Sequence, residues 1–210
     1  MDNQTWGIIT ILLSFAGYLL AWKYQRQDQY VLAVFLLVLS GFMLRFFSSA
    51  DFFLHEWDER YHALVARNMM DHPFKPMLYA DPLLPYDYRE WIGNHIWLHK
   101  QPMPFWVMAT SMHIFGINEI ALRLPSVLLT STGIWLTYSI GKYLFSRRVA
   151  FLAAFLYSVN GLIIELSAGR TAVDHIDVFF LFFIELAVFF SIQFIRKHNA
   201  WYNVLAGLSL

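Results

Sequence analysis

The adjacent acids Asp58 and Glu59 lie just beyond an apolar run that ends near Phe47. A carboxylate where a bilayer meets water can accept a proton from a hydroxyl, and lipid-linked substrates are within its reach. The same two residues have a simpler use, with Asp58 as the N-cap of a helix over 59–70 and Glu59 as a first-turn acid, each contributing about 0.5–1 kcal/mol. Arg170, Asp174 and Asp177 follow a helical spacing that would place them on one face, either as site residues or as an ion pair at a helix end. Lys100, in the stretch from Gly93 to Pro102, can hold a phosphate as a point charge or snorkel at an interface. His55, His62, His95 and His99 fall in one segment, and with Glu56 or Glu59 they could assemble a divalent metal site. No His-Glu-x-x-His spacing occurs among them, and hydrogen-bonding histidines are the ordinary alternative. Arg45, near the end of its apolar run, would snorkel outward or pair with one of the nearby acids.

These residues sit in an unusually apolar chain. Hydrophobic residues make up 58% of the 210 and charged residues 14%, with 20 Phe, 11 Tyr and 8 Trp, which excludes an ordinary soluble domain. Net charge is zero and basic tracts are absent, so neither nucleic-acid binding nor a polybasic lipid anchor is supported. With no cysteine, disulfides, thiolate metal sites and cysteine nucleophiles are excluded. As a separate expectation, no cofactor is required. The N-terminus carries Asp2 and no early Lys or Arg, unlike a cleaved signal peptide. Its first apolar run is expected to remain as a membrane helix.

Apolar runs of spanning length occur at 6–22, 31–47, 125–145, 149–166 and 176–195, each near the roughly 20 residues that cross a bilayer. A further run starts at Trp201, so the chain reads as the N-terminal part of a longer transmembrane domain. Lys23 and Arg26, then Lys142, Arg147 and Arg148, then Arg196 and Lys197 follow alternate spans, and the positive-inside rule makes those loops cytoplasmic. Residues 48–124 and 167–175 then face outward. Eight of the 15 acids and six of the seven prolines lie between Asp51 and Pro104, which marks a structured outer loop. Two helices are expected to lie in the interface there, over about 59–70 and 105–117; were the second to span, the basic loops would fall on opposite sides. The stretch from Lys75 to Lys100 has neither helical nor strand periodicity and reads as an ordered irregular loop. The expected fold is all-α, a polytopic helical membrane protein with a large first outer loop carrying interfacial helices.

From Arg45 to Leu210 the chain resembles the GT-C superfamily of integral membrane glycosyltransferases, especially bacterial relatives of aminoarabinose transferases and protein O-mannosyltransferases. The resemblance rests on Asp58-Glu59 spaced from Ala66-Arg67-Asn68-Met69, on Lys100-Gln101-Pro102, on Phe115 to Glu119 followed by Arg123-Leu124-Pro125-Ser126, on Gly141 to Arg148, and on Arg170 to Asp174. It implies transfer of a sugar from a polyprenyl-phosphate donor to a hydroxyl on a lipid, glycan or protein acceptor. It further implies inversion, and an active site on the outer face of a bacterial cytoplasmic membrane. Asp58 takes the place of the general base, Glu59 and Asp174 are counted with it as catalytic residues with Asp174 lining the same cavity, Lys100 stabilises the leaving phosphate, and Arg170 orders the cavity or touches that phosphate. Arg60 and Tyr61 stand beside the substrate, where aminoarabinose transferases tend to have a small residue and Arg. Gln101 replaces a usual Pro, and the span at 6–22 is additional to the common core.

Two other classes compete. A transporter or channel subunit would carry ionisable groups near the bilayer midplane, where Glu165 and Glu185 are the candidates. A non-catalytic membrane assembly factor would keep the fold without the chemistry, and Asp58→Asn separates it from an enzyme.

Overall fold

The computed structural model describes residues 3–83, 85, 87, 89, 95–170 and 175–210. All its regular elements are helices: α1 (Asn3–Arg26), α2 (Tyr30–Ser48), α3 (Asp58–Asp71), α4 (Pro102–Phe115), α5 (Glu119–Leu144), α6 (Arg147–Ser158), α7 (Gly161–Ser167), α8 (His175–Lys197) and α9 (Ala200–Leu208). Four of them, α1, α2, α5 and α8, are long and apolar enough to cross a membrane. Such helices satisfy their own backbone hydrogen bonds, which is what a bilayer core demands. The chain is an integral membrane protein.

Helices α1 and α2 pack together across a tight turn in which Asp28 has φ 58°. Small residues let them approach: Ser14 Oγ donates to the carbonyl of Ser40 at 3.3 Å, and a side chain at Gly17 would collide with Ser40 Oγ. Helix α5 is central and packs against α2, α4, α6, α7 and α8. Its N-terminus is fixed by Asn118, whose Oδ1 accepts from Ala121 N at 2.9 Å. Pro125 lies inside α5 and cannot donate to the carbonyl four residues back. That carbonyl, of Ala121, accepts from Ser111 Oγ of α4 at 2.6 Å, so the bond lost within α5 becomes a tie to α4.

The segment expected as one span over 149–166 is two helices. Helices α6 and α7 meet at a 52° bend, and Arg45 accounts for it. Its guanidinium, fully buried, donates to the carbonyls of Ser158 at 2.9 Å and Tyr157 at 3.2 Å, and to Gly41 O at 3.0 Å. A cation at the carbonyl end of α6 stabilises termination there, and Asn160 then caps α7 by accepting from Ile163 N. Arg45 therefore neither snorkels nor pairs with an acid, as its sequence position had suggested.

Helices α3 and α4 have 14 residues each, about 21 Å of rise against a hydrocarbon core of roughly 30 Å. They pack on each other, and α4 packs on α5. Their shared core is Val65, Ala66, Met69, Phe105, Met108 and Met112, which Trp97 of the irregular segment joins. Among its described residues that segment makes an antiparallel bridge, Met77 with Ile96, through Leu78 N to His95 O and Trp97 N to Pro76 O, each at 2.9 Å. A second core unites Tyr18, Leu37, Ile134, Phe151 and neighbours from α1, α2, α5 and α6.

Candidate active site

Helix α3 begins at Asp58 rather than after it. Trp57 takes the N-cap position with φ 65°, and no side chain caps the helix. A left-handed backbone at a bulky residue is strained, so the tertiary contacts around Glu59 must hold it.

Those contacts are dense. Glu59 is buried, and Oε1 accepts from Arg123 Nε at 2.6 Å and from His175 Nε2 at 3.1 Å. Oε2 accepts from Arg123 Nη2 at 3.0 Å, from the His55 backbone N–H at 2.6 Å and from His55 Nδ1 at 2.9 Å. Burial by itself would raise the carboxyl pKa, but the hydrogen bonds from His175 and Arg123, with their charge, outweigh it and lower it to about 2. Arg123 is equally occupied. Beyond its fork on Glu59, it donates to the carbonyls of Ser49 at 3.0 Å, Asp51 at 2.7 Å and Phe53 at 2.6 Å. One guanidinium thus fixes the chain from the end of α2 to the start of α3. The Glu59 carboxylate can only accept, which puts a proton on His175 Nε2; on the far side His175 Nδ1 meets Ser126 Oγ at 3.3 Å.

The turn after α7 closes on the same cluster. Gly169 has φ 72°, and a Cβ there would strike both Glu59 Oε1 and His175 Nε2, so glycine is required for conformation and for space. Arg170 beside it pairs with Asp51 Oδ2 at 2.9 Å and Glu165 Oε1 at 3.5 Å, and donates to Ser48 O at 2.8 Å. Asp51 also lies 3.4 Å from His55 Nε2. The two outer connections expected from sidedness are thus in direct contact. Asp174 and Thr171 to Val173 lie outside the described residues.

Asp58 differs from its neighbour. It is partly exposed and has no hydrogen bond or ion pair among the described residues. Exposed Phe52, Phe53 and Trp57 flank it in the chain. Arg60 is exposed and donates to Leu54 O at 3.4 Å. One turn along α3, the Tyr61 ring stacks on Trp97 with centroids 5.5 Å apart, and His99 packs edge-to-face with Trp97 at 5.5 Å. Lys100 borders a cavity of about 340 Å³ together with Phe74, Leu98 and Trp106; none of the Glu59 cluster lines it.

The histidines do not gather. His55 bridges Asp51 and Glu59, His175 completes the Glu59 cluster, and His62 is buried between Trp97 and Phe105. His95 supplies the backbone bridge to Leu78. Among the described residues no three His, Asp or Glu side chains form a group suited to a metal ion.

Sequence reasoning had assigned no role to Arg123, His175, Ser126 or Asp51. The available signal was an arginine placed within the first turns of an apolar span, which needs a partner wherever it is buried.

Residues 99–210 match the family described as dolichyl-phosphate-mannose-protein mannosyltransferase. The undecaprenyl phosphate-alpha-4-amino-4-deoxy-L-arabinose arabinosyl transferase 1 of Pseudomonas fluorescens (strain Pf0-1) is 31% identical over 111 residues, 49% of this chain and 19% of that protein. The transferase of the same description from Pseudomonas paraeruginosa (strain DSM 24068 / PA7) is 27% identical over 104 residues, covering 47% and 18%. An uncharacterized protein of Aquifex aeolicus (strain VF5) is 28% identical over 176 residues, 82% of this chain and 32% of that one. No solved structure matches the chain. The matched regions amount to about a fifth of the length of the arabinosyl transferases. The chain belongs to the dolichyl-phosphate-mannose-protein mannosyltransferase family, within the GT-C superfamily of integral membrane glycosyltransferases.

Proposed function

We propose that the protein is a glycosyltransferase that moves a sugar from a polyprenyl-phosphate donor to an acceptor hydroxyl on a lipid, glycan or protein at the outer face of the bacterial cytoplasmic membrane. The observation that carries this reading is the division of labour between neighbouring acids. Glu59 has both oxygens engaged and is buried, so it holds the loop. Asp58, one residue earlier, is anchored through the backbone of that loop, yet at its partly exposed position its carboxylate has no partner among the described residues. A base must be fixed in place and able to take a proton, and Asp58 meets both requirements.

In the proposed step the acceptor hydroxyl gives its proton to Asp58 as its oxygen bonds to the anomeric carbon. The bond from that carbon to the phosphate oxygen breaks, and the polyprenyl phosphate leaves. Attack opposite the leaving group inverts the anomeric centre. Charge building on the phosphate is met by cations: Lys100 from the irregular segment and Arg170 from the turn after α7; Asp174, outside the described residues, keeps the role that the family resemblance implies. Tyr61 and Arg60, in the first turn of α3, are assigned to substrate binding. The names of the similar arabinosyl transferases contain an undecaprenyl-phosphate-linked sugar, which supports the donor class and leaves the sugar open.

The test is transfer from a panel of polyprenyl-phosphate sugars by the intact protein. Asp58→Asn is expected to lower the rate by about 10²–10⁴ while thermal stability stays at the wild-type value. Undiminished transfer by this variant would remove Asp58 from the mechanism.

A further inference from the structure

At the end of the helices opposite the Glu59 cluster, the first turn of α2 and the last turns of α5 and α8 surround a cavity of about 880 Å³. Three cations line it, Lys142, Arg147 and Arg196, against one acid, Asp28. None of the three pairs with a carboxylate among the described residues. They rest on aromatic rings: Arg196 lies 4.1 Å from the centroid of Tyr143, Lys142 5.0 Å from the same ring, and Arg147 5.9 Å from Tyr30. The N-terminus of α2 adds to this field, since its first turn has no acid and no side-chain cap, and Tyr30 and Val31 of that turn line the cavity. Apart from Thr132 and the tyrosines, the remaining wall is apolar. Val31, Phe35 and Trp135 line it, and they are 90%, 60% and 43% exposed.

The helix ends of α5 and α8 alone would favour Lys142 and Arg196 in their last turns. They do not explain why Arg147, in the first turn of α6, faces the same space, nor why a cavity lies between the cations. A head that is anionic and a tail that is apolar match both halves of the wall. We infer that this cavity binds an anionic phospholipid, its phosphate among Lys142, Arg147 and Arg196 and an acyl chain along Val31, Phe35 and Trp135. The site is separate from the proposed transfer site and does not depend on it. Basic pockets between membrane helices on the cytoplasmic side are recognised in this way by anionic headgroups, and the rings hold the cations apart without neutralising them.

The experiment titrates the purified intact protein, in detergent micelles, with phosphatidylglycerol, with phosphatidylcholine and with soluble glycerol phosphate, reading bound lipid by native mass spectrometry. Phosphatidylglycerol is expected to bind about tenfold or more tightly than phosphatidylcholine, and glycerol phosphate to compete poorly. Lys142→Gln combined with Arg196→Gln should abolish the preference, whereas Arg67→Gln with Lys75→Gln, which removes two exposed cations elsewhere, should leave it intact. Equal binding of the two lipids overturns the inference, as does a preference that survives the first variant. Strong competition by glycerol phosphate would overturn the assignment to a lipid.

Discussion

The two ends of the helical body both concentrate cations, and they treat them oppositely. Around Glu59, Arg123 is fully buried and meets a carboxylate and three backbone carbonyls, while Arg170, one third exposed beside it, pairs with Asp51 and Glu165. Around the other cavity, Lys142, Arg147 and Arg196 lean on tyrosine rings and retain their charge for whatever enters. The difference follows from what each end must do. A loop of more than fifty residues between α2 and α4 has to be held rigid before any of its side chains can act, and a buried ion pair with complete hydrogen bonding supplies that rigidity. The short connections at the basic end need no such anchor.

The largest effect should come from removing the anchor. Arg123→Gln leaves Glu59 buried without its fork and frees the carbonyls of Ser49, Asp51 and Phe53. A loss of about 3–5 kcal/mol is expected, read as a fall in thermal midpoint of the detergent-solubilised protein. Pairing it with Glu59→Gln should recover part of that loss, because no lone charge then stays buried; a single variant as stable as wild type would break the contrast between the two ends.

Acid sharpens the same contrast. The folded carboxyl of Glu59 titrates at about 2, below the value near 4.3 of an unfolded chain. A depressed carboxyl contributes its stability above the unfolded pKa and loses it as pH falls toward the folded one. The full contribution is about 3 kcal/mol, present at pH 6 and declining below about pH 4.5. Unfolding followed from pH 6 to pH 3 should show this decline in wild type and a flatter profile in Glu59→Gln. Equal slopes would mean that Glu59 is not held by charge.

Much of this was open to inspection in the chain itself. The long apolar runs and the all-α fold follow from length and composition, because a bilayer leaves a helix few alternatives. Asp58 and Glu59 were singled out by their place beside an apolar run, but nothing local distinguishes them. Glu59 is distinguished by Arg123 and His175, 64 and 116 positions away, and periodicity has no access to such separations. The bend between α6 and α7 was hidden for the same reason. Its sequence, Ser158-Val159-Asn160-Gly161, offers one capping residue and a glycine, while the deciding contact comes from Arg45, 113 positions away from Ser158. Helix-start signals misplaced the cap by one residue, since Trp57 in a left-handed conformation is an arrangement that tertiary contacts impose against local preference.

The smallest effect belongs to the basic end. Arg196 is exposed in the last turn of α8, where its contact with Tyr143 and with the helix carbonyls contributes about 1 kcal/mol together. Arg196→Gln should therefore lower the thermal midpoint only slightly in pure neutral detergent, far less than Arg123→Gln. Adding phosphatidylglycerol should then separate wild type from variant, because a ligand that binds only the folded protein stabilises it by mass action and the variant holds that ligand less well. The order of the two measurements matters. A large loss already present in neutral detergent would make Arg196 a structural anchor like Arg123 and erase the distinction between the ends, whereas a gap that opens only with the anionic lipid shows a charge kept available for a ligand.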